Sequence, residues 1–313
     1  MKQWWSSVLR IAVAALSLAF IGWKVYGQLA GGEPFVAIAP VAAPLLAAVL
    51  LMPLNWMLET HKWQILTSHL QKLTMAESLR SVLSGLAVSM LTPNRVGDFA
   101  GRIAWLKPEN RTAGAMSDFV GGFAQMLAIA ILGVAAFCIQ PVLPNFLEWF
   151  GHHYAITAAV LIALAAASCG AYFFIGEAAK RFRFGRWPWL ERFVQAAGQH
   201  SKSQLAKALF LSLCRSAVFV LQLQLMLQSF GVSLSAIDAF RSIALMYCFV
   251  SVIPTFALAE WGVRGSMALL FIVPLGGQPT QIVAATVALW LVNVAVPAAS
   301  GAVATMLARN SAR

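Results

Sequence analysis

Long apolar runs separated by short polar stretches dominate this chain. Runs of membrane-spanning length occupy 8–29, 36–58, 113–139, 154–176, 208–230 and 280–307. Because an α-helix rises only ~1.5 Å per residue, a full crossing of the hydrocarbon layer needs ~20 apolar residues. Each of these runs therefore predicts one transmembrane helix.

Two regions break the pattern, and each holds two apolar runs that are too short to cross comfortably. In 78–106 the first run stops at Pro93, and a polar turn precedes the second run. In 241–275 the first run stops at Pro254. Irregular backbone at membrane depth is tolerated only where it is buried in protein or lines a wet cavity. We therefore predict a re-entrant helical hairpin in each region.

An acid and an arginine follow the break in both regions with the same spacing. Asp98 precedes Arg102 by four residues, and Glu260 precedes Arg264 by four. In a helix this spacing places the two side chains on one face, one turn apart. Two interrupted segments in corresponding halves of a membrane chain, each with ionisable groups at the break, are typical of a transporter site.

The composition supports a membrane protein and argues against a nucleic-acid binder. The 313 residues are 60% hydrophobic and only 11% charged, with a formal net charge of +11. Most of the basic residues fall on the predicted cytoplasmic side or in the hairpin entered from it, as the positive-inside rule favours, and the exceptions include Lys24, Arg241 and Arg264. The predicted cytoplasmic side includes Lys62, because the run 36–58 is predicted to end in a cytoplasmic stretch that contains Glu59, His61, Lys62 and Lys72.

The predicted fold is an all-α polytopic membrane protein with about six full transmembrane helices and two re-entrant hairpins in an inverted repeat. We expect one transmembrane domain over 1–313, with halves at 1–176 and 208–313 and both termini in the cytoplasm. A basic, aromatic segment at 177–207 joins the halves, and we expect it to lie on the cytoplasmic membrane surface.

Cofactor and metal chemistry have little support in the sequence. The four cysteines lie in or beside apolar runs without a CxxC pair, and the five histidines have no metal-binding spacing. No phosphate-binding GxxxxGK[ST] motif is present, so we expect neither a cofactor nor ATP hydrolysis.

The motifs at the two breaks resemble a known family, the transmembrane region of lysylphosphatidylglycerol synthases. The resemblance rests on Pro93 to Arg102 and on a second half that runs through Pro254, Glu260, Trp261-Gly262-Val263 and Arg264. In the second motif TFALA stands where the family usually has a glycine-rich turn. The family's full-length synthases continue into an aminoacyl-transferase domain, which we do not expect here because the chain ends at Arg313.

This resemblance implies a flippase-like protein of the bacterial inner membrane that moves an anionic or amphoteric lipid between leaflets. The alternatives are a membrane-embedded enzyme that modifies lipids, and a scaffold that transports nothing but organises a lipid-modifying partner enzyme. Few acid pairs, nucleophiles or metal ligands are available, so we do not expect an enzyme.

The candidate ligands for a phosphate headgroup are the polar residues of the two breaks. Arginine suits phosphate because its planar fork can donate two parallel hydrogen bonds. The predicted substrate-binding residues are Asn94, Arg95, Asp98, Arg102, Glu260 and Arg264.

Each of these residues also has a structural interpretation. The two acid–arginine pairs are equally explained as internal ion pairs that touch no substrate, and Asn94 as a turn former. Asp118 is a candidate for coupling transport to protons or cations, or a helix-start residue stabilised by the helix dipole. For Arg95, which has no evident local partner, we favour the substrate-binding role.

Overall fold

The computed structural model describes residues 19–23, 25–27, 39–90, 92, 97–139, 148–181, 188–253 and 257–301. Within these ranges the regular secondary structure is helical, and no strand occurs. The α-helices are α1 (Ala42–Thr67), α2 (Met75–Ser89), α3 (Gly97–Ile103), α4 (Arg111–Cys138), α5 (Glu148–His152), α6 (Tyr154–Phe173), α7 (Ile175–Arg181), α8 (Pro188–Ala196), α9 (Lys202–Ser229), α10 (Ala236–Val252), α11 (Ala257–Ile272) and α12 (Pro279–Trp290).

Shorter helical turns adjoin several of these helices. Turns of 3₁₀-helix form at Pro108–Asn110, Ala197–Gln199 and Val273–Leu275, and a π-helical turn, Leu291–Ala295, follows α12.

Five stretches in the described part of the chain are long and apolar enough to cross a membrane: Ala42–Thr67, Pro108–Cys138, Tyr154–Phe173, Lys202–Ser229 and Pro279–Gly301. They confirm an all-α polytopic membrane protein. The predicted first span, 8–29, lies largely outside the described residues. Two pairs of shorter helices, α2–α3 and α10–α11, occupy the predicted hairpin regions. Their re-entry into the membrane stays a prediction.

The end of the second predicted span is wrong. The sequence predicts that the run 36–58 leads into a cytoplasmic stretch, but α1 continues without a break to Thr67. Glu59 and Lys62 therefore lie inside a helix of spanning length, where they are 5% and 2% exposed. Their charges do not end the helix because each finds partners of opposite charge within the protein.

The start of α2 is defined by its capping residues. The Thr74 hydroxyl accepts a hydrogen bond from the Glu77 amide at 3.2 Å, and the Glu77 carboxylate accepts one from the Thr74 amide at 2.8 Å. This reciprocal arrangement, a capping box, satisfies backbone donors that the first turn leaves unpaired. The capping box therefore fixes the residue at which α2 begins.

Small residues let α2 and α3 pack with their backbones nearly in contact. A Cβ atom added to Gly101 would lie 2.5 Å from both the Gly85 Cα and the Ser84 carbonyl oxygen. The Ser81 hydroxyl donates to the Arg102 carbonyl at 3.0 Å, and the Trp105 indole donates to the Ser84 hydroxyl at 3.0 Å. This packing holds the acid–arginine face of α3 in one position.

The chain divides into two compact units, each assembled from separate segments. The first unit contains 1–52, 132–160 and 218–295, and the second contains 53–131, 161–217 and 296–313. The pair α10–α11 belongs to the first unit and the pair α2–α3 to the second. Each unit therefore holds one broken pair with its acid and arginine.

An apolar core of the second unit is formed where α4, α6 and α9 meet the basic segment. Val120, Leu127, Tyr172 and Leu205 are at most 2% exposed. Phe193 of α8 packs against this core. At least part of the apolar face of the segment 177–207 is thus covered by protein.

Candidate functional site

Ion pairs connect six side chains of the second unit, which we call the charge network. Four of them are less than 10% exposed, whereas Asp98 and Arg215 keep 28% and 23% of their side-chain exposure. The members are Glu59 and Lys62 from α1, Asp98 and Arg102 from α3, Asp118 from α4 and Arg215 from α9.

Arg102 is surrounded by carboxylates. Its Nε and Nη2 donate to the two oxygens of Asp98 at 2.9 and 3.0 Å, in the bidentate geometry that an i,i+4 spacing allows. Its Nη1 donates to Glu59 at 2.8 Å and lies 3.2 Å from Oδ1 of Asp118. The guanidinium carbon also sits 5.9 Å from the ring centroid of Trp63. With its nitrogens used in this way, Arg102 is suited to hold α3, α1 and α4 together.

Glu59 is the centre of the network because it joins three cations. Oε1 accepts from Arg102, and Oε2 accepts from Lys62 and Arg215, each at 2.8 Å. The Lys62 ammonium also donates to the Ser212 hydroxyl of α9 at 3.3 Å. One carboxylate thus links α1, α3 and α9.

Arg215 lies at the more exposed border of the network, beside neutral polar groups. Its Nε donates to Oδ1 of Asn55 at 2.8 Å, and its Nη1 lies 3.3 Å from Oε1 of Gln125. Gln125 in turn donates to the Ser216 hydroxyl at 2.7 Å. The Nδ2 group of Asn55 is buried and has no hydrogen-bond partner among the described residues. This border is where a polar ligand can meet a cation of the network.

The network is electrically balanced when all its members are ionised. Glu59, Asp98 and Asp118 carry three negative charges, and Lys62, Arg102 and Arg215 carry three positive ones. A single charge at the centre of a membrane helix costs ~2.5–3.5 kcal/mol on insertion scales. Mutual pairing offsets that cost, and it allows six charges to be held at one place.

Among the described residues, no group of three or more His, Cys, Asp or Glu side chains is arranged to hold a metal ion. The carboxylates of the network are paired with lysine and arginine instead.

A second acid–arginine pair lies in the first unit, on α11. Nη2 of Arg264 donates to Oε1 of Glu260 at 2.5 Å, and the two side chains are 16% and 8% exposed. Nε of Arg264 is buried and has no hydrogen-bond partner among the described residues. Arg264 therefore has fewer of its donors engaged than Arg102 does.

Two histidines adjoin the network at the end of α1. The rings of His69 and His200 meet edge to face, with centroids 4.8 Å apart, and Nε2 of His200 lies 3.1 Å from the hydroxyl of Ser117, the residue before Asp118. Burial lowers the pKa of His200 to about 4, and burial also lowers the pKa of His69 below its usual value. Both rings are therefore neutral at pH 7.

The structure brings three of the predicted site residues together, namely Asp98, Arg102 and Asp118. Glu260 and Arg264 form the pair of the first unit. Asn94 and Arg95 lie outside the described residues.

Sequence analysis missed Glu59, Lys62 and Arg215 as site residues. The first two belong to the stretch that the sequence predicts to be cytoplasmic. Arg215 had an available signal, because it is a lone cation inside the apolar run 208–230.

The fold and the charge network define a polytopic α-helical membrane protein with paired charges buried at a broken helix. The sequence profile described as the lysylphosphatidylglycerol synthase TM region matches residues 7–301, which is nearly the whole chain. The chain belongs to this family of membrane regions, whose name ties it to lipid. A comparison with curated proteins found no match.

Proposed function

We propose that the protein moves a lipid with an anionic phosphate headgroup between the leaflets of a bacterial inner membrane, in the manner of a flippase. The family membership supports a role with lipids. The charge network, with four of its six members in helices of spanning length, is the observation that carries the proposal.

A purely structural role would not require these six side chains to be charged. Replacing buried ion pairs with apolar side chains of similar volume is often neutral or stabilising. Ionisable residues inside a membrane bundle are therefore functional candidates, and ion and substrate pathways are their commonest setting. Broken helices at the same place strengthen this view, since transporters build their sites from such helices.

We assign direct headgroup contact to Arg215 and, separately, to Arg264. Arg215 lies at the exposed border of the network, and Arg264 has a buried Nε without a partner in the described part of the chain. Arg95 and Asn94 precede α3 in the sequence, and they keep their predicted role at the headgroup. Arg102 and Asp98 are bound to each other, so we give them a positioning role.

A liposome assay tests the proposal. Purified protein is reconstituted with fluorescent phosphatidylglycerol or a fluorescent polyprenyl phosphate, and the fraction of label open to an outside quencher is followed. We expect protein-dependent movement of at least one phosphate lipid, and at least a tenfold slower rate with Arg215→Gln. Arg95→Gln in the same assay tests the role predicted for that residue.

A matched control separates lipid contact from general damage. Lys202→Gln removes a cation from an exposed ion pair with Glu177, where the atoms are 3.4 Å apart, and the rate should not change. Arg215→Lys keeps the charge and should restore part of the rate. If no phosphate lipid moves with the wild-type protein, the transport proposal is wrong, and an enzyme or scaffold role becomes the better explanation.

A further inference from the structure

We infer that Asp118 is a proton-binding site, and that one proton crosses the membrane with each anionic lipid. This inference rests on the proposed lipid movement and goes beyond it by naming the coupling ion and the residue that carries it.

The first step is the charge balance of the network. Three carboxylates face three cations, so the empty site is neutral when every member is ionised. A phosphodiester headgroup that enters beside Arg215 adds one negative charge. Uncompensated charge is strongly disfavoured away from water. A single proton taken up by one carboxylate restores neutrality in the loaded state.

The second step identifies the carboxylate that takes the proton. Asp98 accepts two hydrogen bonds from Arg102, at 2.9 and 3.0 Å, and Glu59 is held by three cations at 2.8 Å. Asp118 has one ion pair among the described residues, at 3.2 Å, with an Arg102 nitrogen that already donates to Glu59. Protonating Asp118 therefore breaks the fewest interactions.

The groups around Asp118 leave no other evident acceptor for the proton. Its charged neighbours are Glu59 and Lys62 on α1 and Asp98 and Arg102 on α3, and Arg215 on α9 lies beyond Glu59. The two nitrogens of the His200 ring are already engaged, by the Ser117 hydroxyl at 3.1 Å and by the Ala197 carbonyl at 3.3 Å. The side chain of Asp118 is 9% exposed, so proton uptake by this carboxyl requires water to enter the network.

The resulting cycle conserves charge and protons. On the loading side, water supplies the proton to Asp118 and the lipid phosphate meets Arg215, and the site is neutral. On the opposite side of the membrane the lipid and the proton leave, and the Asp118 carboxylate pairs again with Arg102. Lipid movement is then electroneutral, and it responds to a pH gradient but not to a membrane potential.

The experiment compares a pH gradient with a membrane potential as the driving force, in the liposomes described above. With potassium and valinomycin holding the potential at zero, a gradient of one pH unit should shift the leaflet ratio of fluorescent phosphatidylglycerol, a phosphodiester with one negative charge, about tenfold toward the alkaline side. A potential of about 60 mV at equal pH should leave the ratio unchanged, whereas unaccompanied movement of a single negative charge would shift it about tenfold. Protein-free vesicles give the background.

Asp118→Asn provides the residue-specific test. The amide has nearly the same shape but takes no proton, so the empty network gains one positive charge and the lipid alone neutralises it. We expect this variant to lose the pH response and to respond to the potential. Asp238→Asn, a matched change at the start of α10, should retain the wild-type behaviour because Asp238 pairs with Arg241 outside the network.

The outcomes distinguish the two proposals. Wild-type movement that follows the potential and ignores the pH gradient would overturn proton coupling while leaving lipid transport intact. A pH response that survives in Asp118→Asn would overturn the assignment to this residue. If Asp118→Asn does not fold, the wild-type comparison still decides whether a proton accompanies the lipid. No movement of any phosphate lipid would overturn the transport proposal and, with it, this inference.

Discussion

At the scale of single residues, Glu59 joins all three cations of the charge network. Its two oxygens accept from Lys62, Arg102 and Arg215. Removing one partner of a buried ion pair leaves an uncompensated charge, which is far costlier than losing an exposed pair. The stability of the second unit is therefore expected to be sensitive to this carboxylate.

Glu59→Gln should lower the free energy of unfolding by ~3–5 kcal/mol, because it leaves three cations facing two carboxylates. Thermal or denaturant unfolding in detergent measures the change. Glu177→Gln is the control, since Glu177 belongs to an exposed pair and should cost ~0.5 kcal/mol or less. Equal losses in the two variants would contradict the central role of Glu59.

His200 should make the stability depend on pH. Burial lowers the pKa of His200 to about 4 from 6.5, so the unfolded chain binds a proton more readily than the folded one. The contribution of the neutral His200 ring to the free energy of unfolding is therefore complete above pH 6.5. It is lost as the pH drops from 6.5 toward 4. His200→Asn should flatten this part of a plot of melting temperature against pH. An unchanged slope would show that other groups cause it.

At the scale of elements, the short helices α2 and α3 act as one packed pair. Their close approach depends on glycine, because a side chain at Gly101 would collide with the backbone of Gly85 and Ser84. Arg102 is the next residue on α3. The geometry of the charge network therefore depends on a contact between backbones that carry no charge themselves.

Gly101→Ala should destabilise the protein by ~1–3 kcal/mol, the usual cost of overpacking a tight contact. It should also slow lipid movement, because separating α2 from α3 displaces Arg102. Gly122→Ala in α4 is the control, as a Cβ there meets no atom within 4 Å and should be neutral or mildly stabilising. Unfolding and translocation measured on both variants test the prediction, which a silent Gly101→Ala would contradict.

At the scale of the whole molecule, the unequal distribution of basic residues predicts the orientation in the membrane. The stretch 140–153 contains no Lys or Arg, whereas 177–207 contains seven: Lys180, Arg181, Arg183, Arg186, Arg192, Lys202 and Lys207. By the positive-inside rule we expect the first stretch to lie outside and the second in the cytoplasm.

Reporter fusions test this orientation. Alkaline phosphatase inserted after His153 should be active, and green fluorescent protein inserted after Gln199 should fluoresce, because each reporter works on only one side of the inner membrane. Exchanging the two reporters should abolish both signals. The reverse result would invert the topology and move the basic segment to the outer face.

Local patterns in the sequence predicted the helices well, and long-range contacts explain what they missed. Runs of apolar residues indicate spanning helices because length and hydropathy are local properties. The expected end of α1 near residue 58 was wrong, because a charged residue normally marks the end of a span. Glu59 pairs with Arg102 and Arg215, which are distant in the sequence, and no local pattern reports these partners.

The sequence by itself determined an all-α membrane protein, two broken helix pairs and an acid–arginine pair in each, because helix period and hydropathy act over a few residues. Only the tertiary structure decided that Arg102 also binds Glu59, 43 residues away, and that Glu59 binds Arg215, 156 residues away. Such contacts depend on which helix faces pack together, and that choice is made by the whole fold.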